Sequence, residues 1–394
     1  MHTGSVRTVA RVRGVAATAI GLAGTLMLSA PAHAVPSASE VWVEVPGPSV
    51  QTPNQFAGVL PLTVADAWAV GGKRVAGSAD VTSLTARWNG RTWTAVPSPG
   101  QSRLRGVSGK PGGYVWAVGS SDDGTRSVVQ AWKGSGWSVV GHVAATPDNP
   151  LHLNAVAALG NEDVWAVGNR GDLETTGQAV PHAQHYNGLS WQEVEVPQPP
   201  NAFIAQLTSV SANNSTDVWA SGLAFGEAGF IPYFVHWDGR KWSLVQPPAT
   251  ITGGYSDVQA IGSGRIIAVG STFDGEDPTP RPRIASLRNG VWVQESVPVA
   301  AAELNAVAVD GLGNVFVAGA ELGAGGHDDR SPLILTRGAT GPWSVQTSTD
   351  AKAGDLLDIQ ATRVDSIKWA VGSTGVTDET HNNLIMTAIP SQPN

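Results

Sequence analysis

The sequence predicts an all-β protein folded as a seven-bladed β-propeller, and three observations carry this prediction. A short apolar motif that ends in glycine, such as Val164–Gly168, recurs seven times along the chain. Each copy is accompanied by other short runs rich in Val, Trp and Ala, with turn residues between them. In four repeats an Asn-Gly or Asp-Gly pair separates two of these runs, and such pairs favour tight β-hairpins.

The period of the repeat sets the number of blades. The glycines that close the motif are separated by 48 to 54 residues. This spacing is typical of a propeller blade built from four short antiparallel strands. The seven glycines are Gly71, Gly119, Gly168, Gly222, Gly270, Gly319 and Gly372.

Four apolar runs, here called a, b, c and d in chain order, make up each repeat. Run a carries a large apolar residue followed three positions later by Val or Ile, as in Leu153 and Val156. Run b is the glycine motif, and both of its alternating faces are apolar, as expected of a strand buried on two sides. Run c ends at a residue such as Tyr186, and run d begins five residues later, at Trp191.

The first run of the propeller completes the last repeat. The seventh repeat ends with run c at Leu384–Ile389 and has no run d after it. Near the beginning, Val41–Val45 has the features of a run d without a preceding repeat. We therefore expect the N-terminal strand to complete the last blade and close the ring, which limits exposed strand edges.

Residues 1–34 have the features of a secretory signal peptide. Arg7, Arg11 and Arg13 supply a positive start, Val15–Leu28 is apolar, and Ala32–Ala34 fits a small-x-small cleavage site. The expected location is extracellular. The expected organisation is a signal peptide at 1–34, an exposed leader at 35–40, the propeller at 41–390 and a C-terminal tail at 391–394.

Charge and composition exclude several classes of function. The formal charge is −8 and becomes −11 without residues 1–34, because that segment holds three arginines and no acidic residue. A negative surface disfavours nucleic acid and anionic membranes as partners. No second apolar stretch is long enough to insert into a membrane. The chain has no cysteine, which excludes thiolate nucleophiles and cysteine metal sites.

The pattern of the repeats resembles Kelch-type propellers, the superfamily that includes the central domain of galactose oxidase, here as a secreted bacterial form. The shared features are the glycine after run b, the aromatic residue at the end of run c and the Trp that opens run d. The resemblance covers residues 41–390. Two departures are plain: only Gly71-Gly72 forms the glycine pair usual after run b, and without cysteine the copper site of galactose oxidase is not carried over.

Long loops place the expected functional face on one rim. In an up-and-down blade the b–c and d–a connections share a rim, here called the loop rim, and binding residues concentrate on such loops. Many acidic residues fall in these loops. Their carboxylates could bind Ca²⁺, although solvated loop tips are the simpler interpretation, and no cofactor is predicted.

Eight residues are candidates for binding on the loop rim. All 15 tryptophans fall at repeat positions and are assigned to the core, which leaves Phe203 and a few other aromatic residues for the rim. The polar candidates could supply a metal ligand or a general acid or base, or be ordinary exposed loop residues. The candidates are Phe225, Phe230, Tyr233, Phe273, His327, Asp328, Asp329 and His381.

These observations favour a non-catalytic binding module that recognises an extracellular or cell-wall protein or glycan through the loop rim. The alternative is a polysaccharide-active enzyme, a lyase or hydrolase, that uses rim histidines and carboxylates. A third interpretation is a structural domain of an envelope assembly. A cluster of His, Tyr or Arg beside acids in the central channel would favour the enzyme, and Arg105 is the one basic residue expected near that channel.

Overall fold

The computed structural model describes residues 40–390 except 76, 79, 123, 147, 172–176, 228, 275–276, 327–328, 347–352, 365 and 376–380; the side chains of 273–274 and 277–278 are also outside the description. The described residues form 28 β-strands and no α-helix. The strands form seven four-stranded antiparallel sheets, each with three or four strands consecutive in sequence. The predicted seven-bladed β-propeller is therefore confirmed. In this part of the chain no helix is long and apolar enough to cross a membrane.

The first four complete blades follow one another along the chain, and each contributes strands a to d in order. Blade one is β2 (Asn54–Thr63), β3 (Asp66–Arg74), β4 (Val81–Trp88) and β5 (Trp93–Val96). Blade two is β6 (Arg103–Gly109), β7 (Val115–Ser120), β8 (Ser127–Trp132) and β9 (Trp137–Val139). Blade three is β10 (Leu151–Ala158), β11 (Val164–Arg170), β12 (Val180–Tyr186) and β13 (Trp191–Val194). Blade four is β14 (Ala202–Asn214), β15 (Asp217–Gly226), β16 (Gly229–Trp237) and β17 (Trp242–Leu244).

The remaining blades continue this order until the last, which takes its fourth strand from the start of the propeller. Blade five is β18 (Gly254–Ala260), β19 (Ile266–Asp274), β20 (Asp277–Arg288) and β21 (Val291–Glu295). Blade six is β22 (Ala302–Val309), β23 (Val315–Leu322), β24 (Arg330–Arg337) and β25 (Ser344–Gln346). Blade seven is β26 (Gly354–Ala361), β27 (Lys368–Thr374), β28 (Asn382–Pro390) and β1 (Glu40–Glu44).

Strand β1 closes the ring as the sequence predicts. It pairs antiparallel with β28, from Glu40 opposite Pro390 to Glu44 opposite Met386. Trp42 is 1% exposed in the core between blades six and seven. The Nζ of Lys368 donates a 2.7 Å hydrogen bond to Glu40, which adds an ion pair between the first and last parts of the propeller.

Tryptophans of strand b join neighbouring blades. The Trp165 ring meets Trp242 of blade four edge-on at 5.2 Å and lies 4.9 Å from Trp237 at the end of that blade's strand c. Trp68, Trp116 and Trp369 contact the corresponding aromatic pair of the next blade in the same way. The small alanine of run b leaves room for these rings, so the tryptophans form the core between blades.

A β-bulge interrupts the inner strand of every blade at the same place. The pairing of strand a with strand b slips by one residue directly after the large apolar residue of run a, for example between Leu153 and Ala155. The extra residue at the bulge points away from the ladder, toward the axis of the ring. The seven bulge residues are Ala57, Arg105, Asn154, Thr208, Ser256, Asn305 and Leu357.

Candidate functional site

Strands a, b and c of blade four continue past the run-b glycine toward the loop rim and carry an aromatic cluster there. These strands have 13, 10 and 9 residues. At their rim end, the ring of Phe225 lies 5.6 Å from Phe203 and 5.6 Å from Phe230, with interplanar angles of 81° and 85°. Phe203 is 48% exposed and Phe225 is 39% exposed. The structure thus brings together Phe225 and Phe230 of the predicted rim residues, with Phe203 completing the cluster.

Tyr233 is not a rim residue, and this part of the prediction is wrong. Its side chain is fully buried in β16, directly opposite Gly222 of β15. The hydroxyl donates a 3.0 Å hydrogen bond to the carbonyl of Pro197, and burial raises the pKa of Tyr233. The same repeat position is apolar in blades one and two, where Leu84 and Val128 face a glycine in the same register.

Of the remaining predicted candidates, Asp329 and His381 are described by the structure, and they lie in different blades. His327 and Asp328 lie outside the described residues, and so does the side chain of Phe273. Asp329 closes its own loop in blade six, where its backbone carbonyl accepts a 2.7 Å hydrogen bond from Gly323 and its carboxylate lies 3.4 Å from the Gly325 amide. His381 lies in blade seven, at a small cleft.

The cleft beside His381 is basic rather than acidic. It holds about 30 Å³ and is lined by His381, Lys73, Arg74 and Arg103, together with backbone and polar groups of β2. The sequence predicted an acidic rim because many acids lie in the loops. At blades one and two, Lys73, Arg74 and Arg103 bring cations to the same rim, so its charge is mixed.

A chain of polar contacts runs along the loop rim from blade two to blade seven. Arg103 donates to Gln55 at 3.1 Å, and Gln55 donates to the hydroxyl of Ser373 at 3.0 Å. The Ser373 hydroxyl donates to Asp355 at 3.2 Å. The next contact is an ion pair between Asp355 and Arg330 of blade six, also at 3.2 Å.

Sequence reasoning missed this network, although the repeat contains a signal for it. Gln55, Arg103 and Asp355 each directly precede the large apolar residue of run a. Glu303 holds the same position in blade six and pairs with Arg330 at 3.3 Å. Aligning the repeats at that position would have shown polar residues that the ring brings side by side.

The inner strands surround a central channel that contains two cavities. One, of about 130 Å³, lies around the ring of bulge residues, nearer the loop rim. The other, of about 440 Å³, lies toward the a–b turns, where Lys110 and Arg363 are among its lining residues. Sites of small ligands are usually concave spaces of this kind, so the channel is the second candidate site.

Most polar bulge residues bind the next blade. The Nδ2 of Asn154 donates to the carbonyl of Leu207 at 2.9 Å, and that of Asn305 donates to Leu356 at 2.8 Å. Thr208 makes the corresponding bond to Tyr255 at 3.2 Å. Strand a is the inner edge of its sheet, and these bonds satisfy carbonyls that no further strand pairs with.

Two buried carboxyl groups follow the bulges of blades five and seven. Asp257 accepts a 2.7 Å hydrogen bond from the amide of Val307 and another from the hydroxyl of Ser209. Asp358 accepts a 2.8 Å bond from the amide of Val59. Burial raises the pKa of both groups, and that of Asp358 reaches about 7, with the charge of Asp257 also contributing. Both acids accept hydrogen bonds from the next blade and so connect neighbouring blades, a structural role.

Arg105 lies at the same level of the channel, as its place in run a predicts. Its side chain makes no hydrogen bond or ion pair with the described residues, and its Nε is buried without an acceptor. Burial, followed by the positive charge of Arg103, lowers the pKa of Arg105. Over the described ranges, no group of three or more His, Asp or Glu side chains is placed to hold a metal ion.

No protein-family model matches the chain, and no curated protein matches it. Solved structures with a similar fold include YCF48 bound to D1 peptide, at 15% identity and a TM-score of 0.55, over 91% of this chain and 97% of the other. YCF48 from Cyanidioschyzon merolae is 14% identical over 88% of this chain and 98% of its own, with a TM-score of 0.53.

A third similar structure is an enzyme, a PL25 ulvan lyase from a new family of polysaccharide lyase, bound to a sulfated glucuronic acid–rhamnose segment. It is 9% identical over 84% of this chain and 93% of its own, with a TM-score of 0.55. At these identities the similarity shows the propeller fold. None of the three structures confirms the Kelch-type assignment.

Proposed function

We propose that this chain is a secreted, non-catalytic binding module that recognises an extracellular or cell-wall partner through its loop rim, and that the partner is a protein. The observation that carries this proposal is the cluster of Phe203, Phe225 and Phe230 at the tip of blade four, two of whose rings are more than a third exposed. Clustered exposed aromatic residues are typical of the centres of protein interfaces.

The cluster is not needed to fill the core of blade four. That core is already formed by buried residues such as Tyr233, Val235 and Trp242. The phenylalanines lie beyond it, where strands a, b and c continue toward the rim. Burying an exposed phenylalanine ring contributes about 1.5 kcal/mol or more of hydrophobic stabilisation. The exposure of these rings therefore favours a partner that covers them.

The geometry of the rings favours a protein over a glycan. Sugars stack on an open, flat ring face, whereas these rings meet nearly at right angles, at 81° and 85°. Edge-to-face rings form an angular apolar surface that suits side chains of a folded partner.

The similar structures support a binding role in general terms. The YCF48 structure contains a peptide, and the ulvan lyase structure contains a polysaccharide. Both propellers therefore bind a polymer.

The test is binding of the purified mature chain to cell envelopes of its source organism, before and after protease treatment. Wild-type protein should bind, and protease should abolish binding. The double variant Phe203→Ser/Phe225→Ser should bind at least about tenfold more weakly, because both apolar anchors are lost. Val291→Ser/Val293→Ser removes two exposed apolar residues on the outer strand of blade five and serves as the control.

Three outcomes would contradict the proposal. If the double phenylalanine variant binds as well as wild type, the contact surface does not include the aromatic cluster of blade four. Binding that survives protease and is competed by soluble polysaccharide would identify a glycan. Retention of the full-length chain in the cell, with residues 1–34 still attached, would overturn secretion.

The second candidate is a polysaccharide-active enzyme, and the basic cleft favours it. Lys73, Arg74 and Arg103 beside His381 could bind the carboxylate of a uronic acid while the imidazole takes a proton from the adjacent carbon. Incubation with uronate polysaccharides would then release unsaturated sugars that absorb ultraviolet light. Activity that is lost in His381→Ala and kept in His142→Ala would establish this function in place of the first.

A further inference from the structure

The side chain of Arg105 is the one bulge side chain in the channel that carries a charge. Asn154, Thr208 and Asn305 use the equivalent position to bind the next blade. Arg105 makes no such bond, and its guanidinium has no partner among the described residues. Arg105 is half-buried, and a partly desolvated cation without a counter-charge weakens folding. Its presence therefore suggests a ligand rather than a structural role.

The charge of Arg105 is not compensated by the acids of the channel. Asp257 and Asp358 line the same cavity, but they belong to blades five and seven, and their oxygens accept hydrogen bonds from backbone amides. The pKa of Arg105 is lowered by burial and by Arg103, and the opposite effect of Asp122 comes last. The net environment of this guanidinium is therefore short of negative charge.

The wall beside Arg105 also presents backbone amides that could donate to a ligand. In blades one and six the amides of Val59 and Val307 are bonded to Asp358 and Asp257 of the preceding blade. The amides of Val107, Val156 and Val210, in blades two, three and four, hold the same place in the register with strand b as that of Val59, but no carboxylate of the preceding blade lies opposite them.

The reason is that the residues that would supply the acceptors lack polar side chains. They are Gly58, Gly106 and Ala155. A Cβ at Gly106 would lie 3.1 Å from the amide nitrogen of Val156, so glycine leaves the space in front of this amide open.

We propose that the channel binds a small organic carboxylate at this wall, with the Arg105 guanidinium and the amides of Val107 and Val156 as donors. A guanidinium and convergent backbone amides are the usual receptor for an oxyanion. The cavity of about 130 Å³ has room for several waters or for a small di- or tricarboxylic acid. This site is separate from the aromatic cluster of blade four and does not depend on the proposed protein partner.

The experiment is titration calorimetry of the purified mature chain with succinate and citrate, at constant ionic strength maintained with sodium chloride. Wild-type protein should bind one of these acids with a stoichiometry of about one. Arg105→Met, which keeps an unbranched apolar side chain and removes the charge, should weaken binding by about tenfold or more. Arg105→Lys should retain most of the carboxylate binding. Gly106→Ala should weaken this binding, because its Cβ would obstruct the Val156 amide.

Controls separate the site from general charge effects and from the proposed function. Lys110→Met removes a cation from the other cavity and should leave carboxylate binding unchanged. Ser256→Ala changes another bulge residue of the same ring and should also have no effect. The double phenylalanine variant of blade four should bind the carboxylate normally, so either proposal can fail without the other.

Thermal unfolding without ligand gives a second measurement. An arginine that is kept for ligand binding lowers the stability of the ligand-free protein. Arg105→Met should therefore melt at the same temperature as wild type or higher. A lower melting temperature, together with no binding of either acid by wild type, would overturn the proposal. Equal binding of both acids by wild type and Arg105→Met would do so as well.

Discussion

The glycine that closes each run b has no space for a side chain, because a carbonyl oxygen of strand a occupies the place of its Cβ. A Cβ at Gly168 would lie 1.7 Å from the carbonyl oxygen of His152. At the other six glycines the same distance is 1.9 to 2.1 Å. The bulge that follows brings strand a this close to strand b, so the glycine and the bulge are two parts of one local structure.

Gly168→Ala should therefore destabilise the protein severely. The backbone of β10 would have to move or the bulge would be lost, at an expected cost of about 3 kcal/mol or more in the free energy of unfolding. Urea unfolding measures the difference. Gly160→Ala is the matched control, because a Cβ there meets nothing within 4 Å. Equal stability of the two variants would show that the b-strand glycine is not sterically required.

The carboxyl group of Asp358 should make stability depend on pH. Burial raises its pKa from 3.8 to about 7, so the folded protein keeps a proton that the unfolded chain has released between these values. This group's contribution to stability then falls as pH rises from about 4 to 7.

Asp358→Asn removes this dependence and preserves an acceptor for the Val59 amide. Since one pKa unit corresponds to about 1.4 kcal/mol, the variant should gain up to about 4 kcal/mol at pH 8 relative to wild type. At pH 4 the two proteins should have similar stability. Melting curves at both pH values test this, and a gain of the same size at pH 4 would refute the ionisation argument.

At the scale of the strand, the inner strand shows what the sequence could and could not reveal. Run a has its large apolar residue and its Val or Ile three positions apart, as in Leu153 and Val156. In a regular strand such residues face opposite sides, yet both are buried in the same cluster. The bulge between Leu153 and Val156 adds one residue, so both side chains point to the same face of the sheet. The odd spacing was thus a visible signal for the bulge, and hence for the ring of residues that lines the channel.

The rim was harder to predict than the strands. Tyr233 was assigned to the rim as one of the aromatic residues left over from the tryptophan repeat positions, but the register opposite Gly222 buries it. The network from Arg103 to Asp355 joins residues more than 200 positions apart, which only closure of the ring brings together. Periodicity locates strands, whereas contacts between blades depend on the position of every strand in the ring.

The bonds between neighbouring inner strands should contribute separately to stability. Asn154→Ala and Asn305→Ala each leave a buried carbonyl without a donor, at about 1 kcal/mol apiece. They join different pairs of blades, so the double variant should lose the sum of the two. Ser256→Ala is the control, because this bulge hydroxyl makes no hydrogen bond with the described residues. Urea unfolding of the four variants would show strong non-additivity if the two bonds act as one unit.

At the scale of the whole molecule, a single strand joins the first and last blades. Deleting residues 40–46 removes β1, the burial of Trp42 and the ion pair with Lys368. Loss of a buried tryptophan alone costs about 3–5 kcal/mol, so the melting temperature should fall by about 10 °C or more. A synthetic peptide of residues 40–46 should restore part of the loss. An unchanged melting temperature would show that β1 does not hold the ring together.

The pairing of β1 with β28 also sets the order of events while the protein is being made. Glu40 and its partner Lys368 are 328 residues apart, so at about 5–20 residues per second β1 waits roughly 15–65 s for its neighbours to emerge. Until then, every nascent chain is an open arc with an unpaired strand at one end and an unpaired sheet edge at the other. Synthesis that stops within blade seven leaves this arc permanently open. Because the unpaired β1 of one such copy can pair with the unpaired sheet edge of another, interrupted translation would yield chains that join to each other.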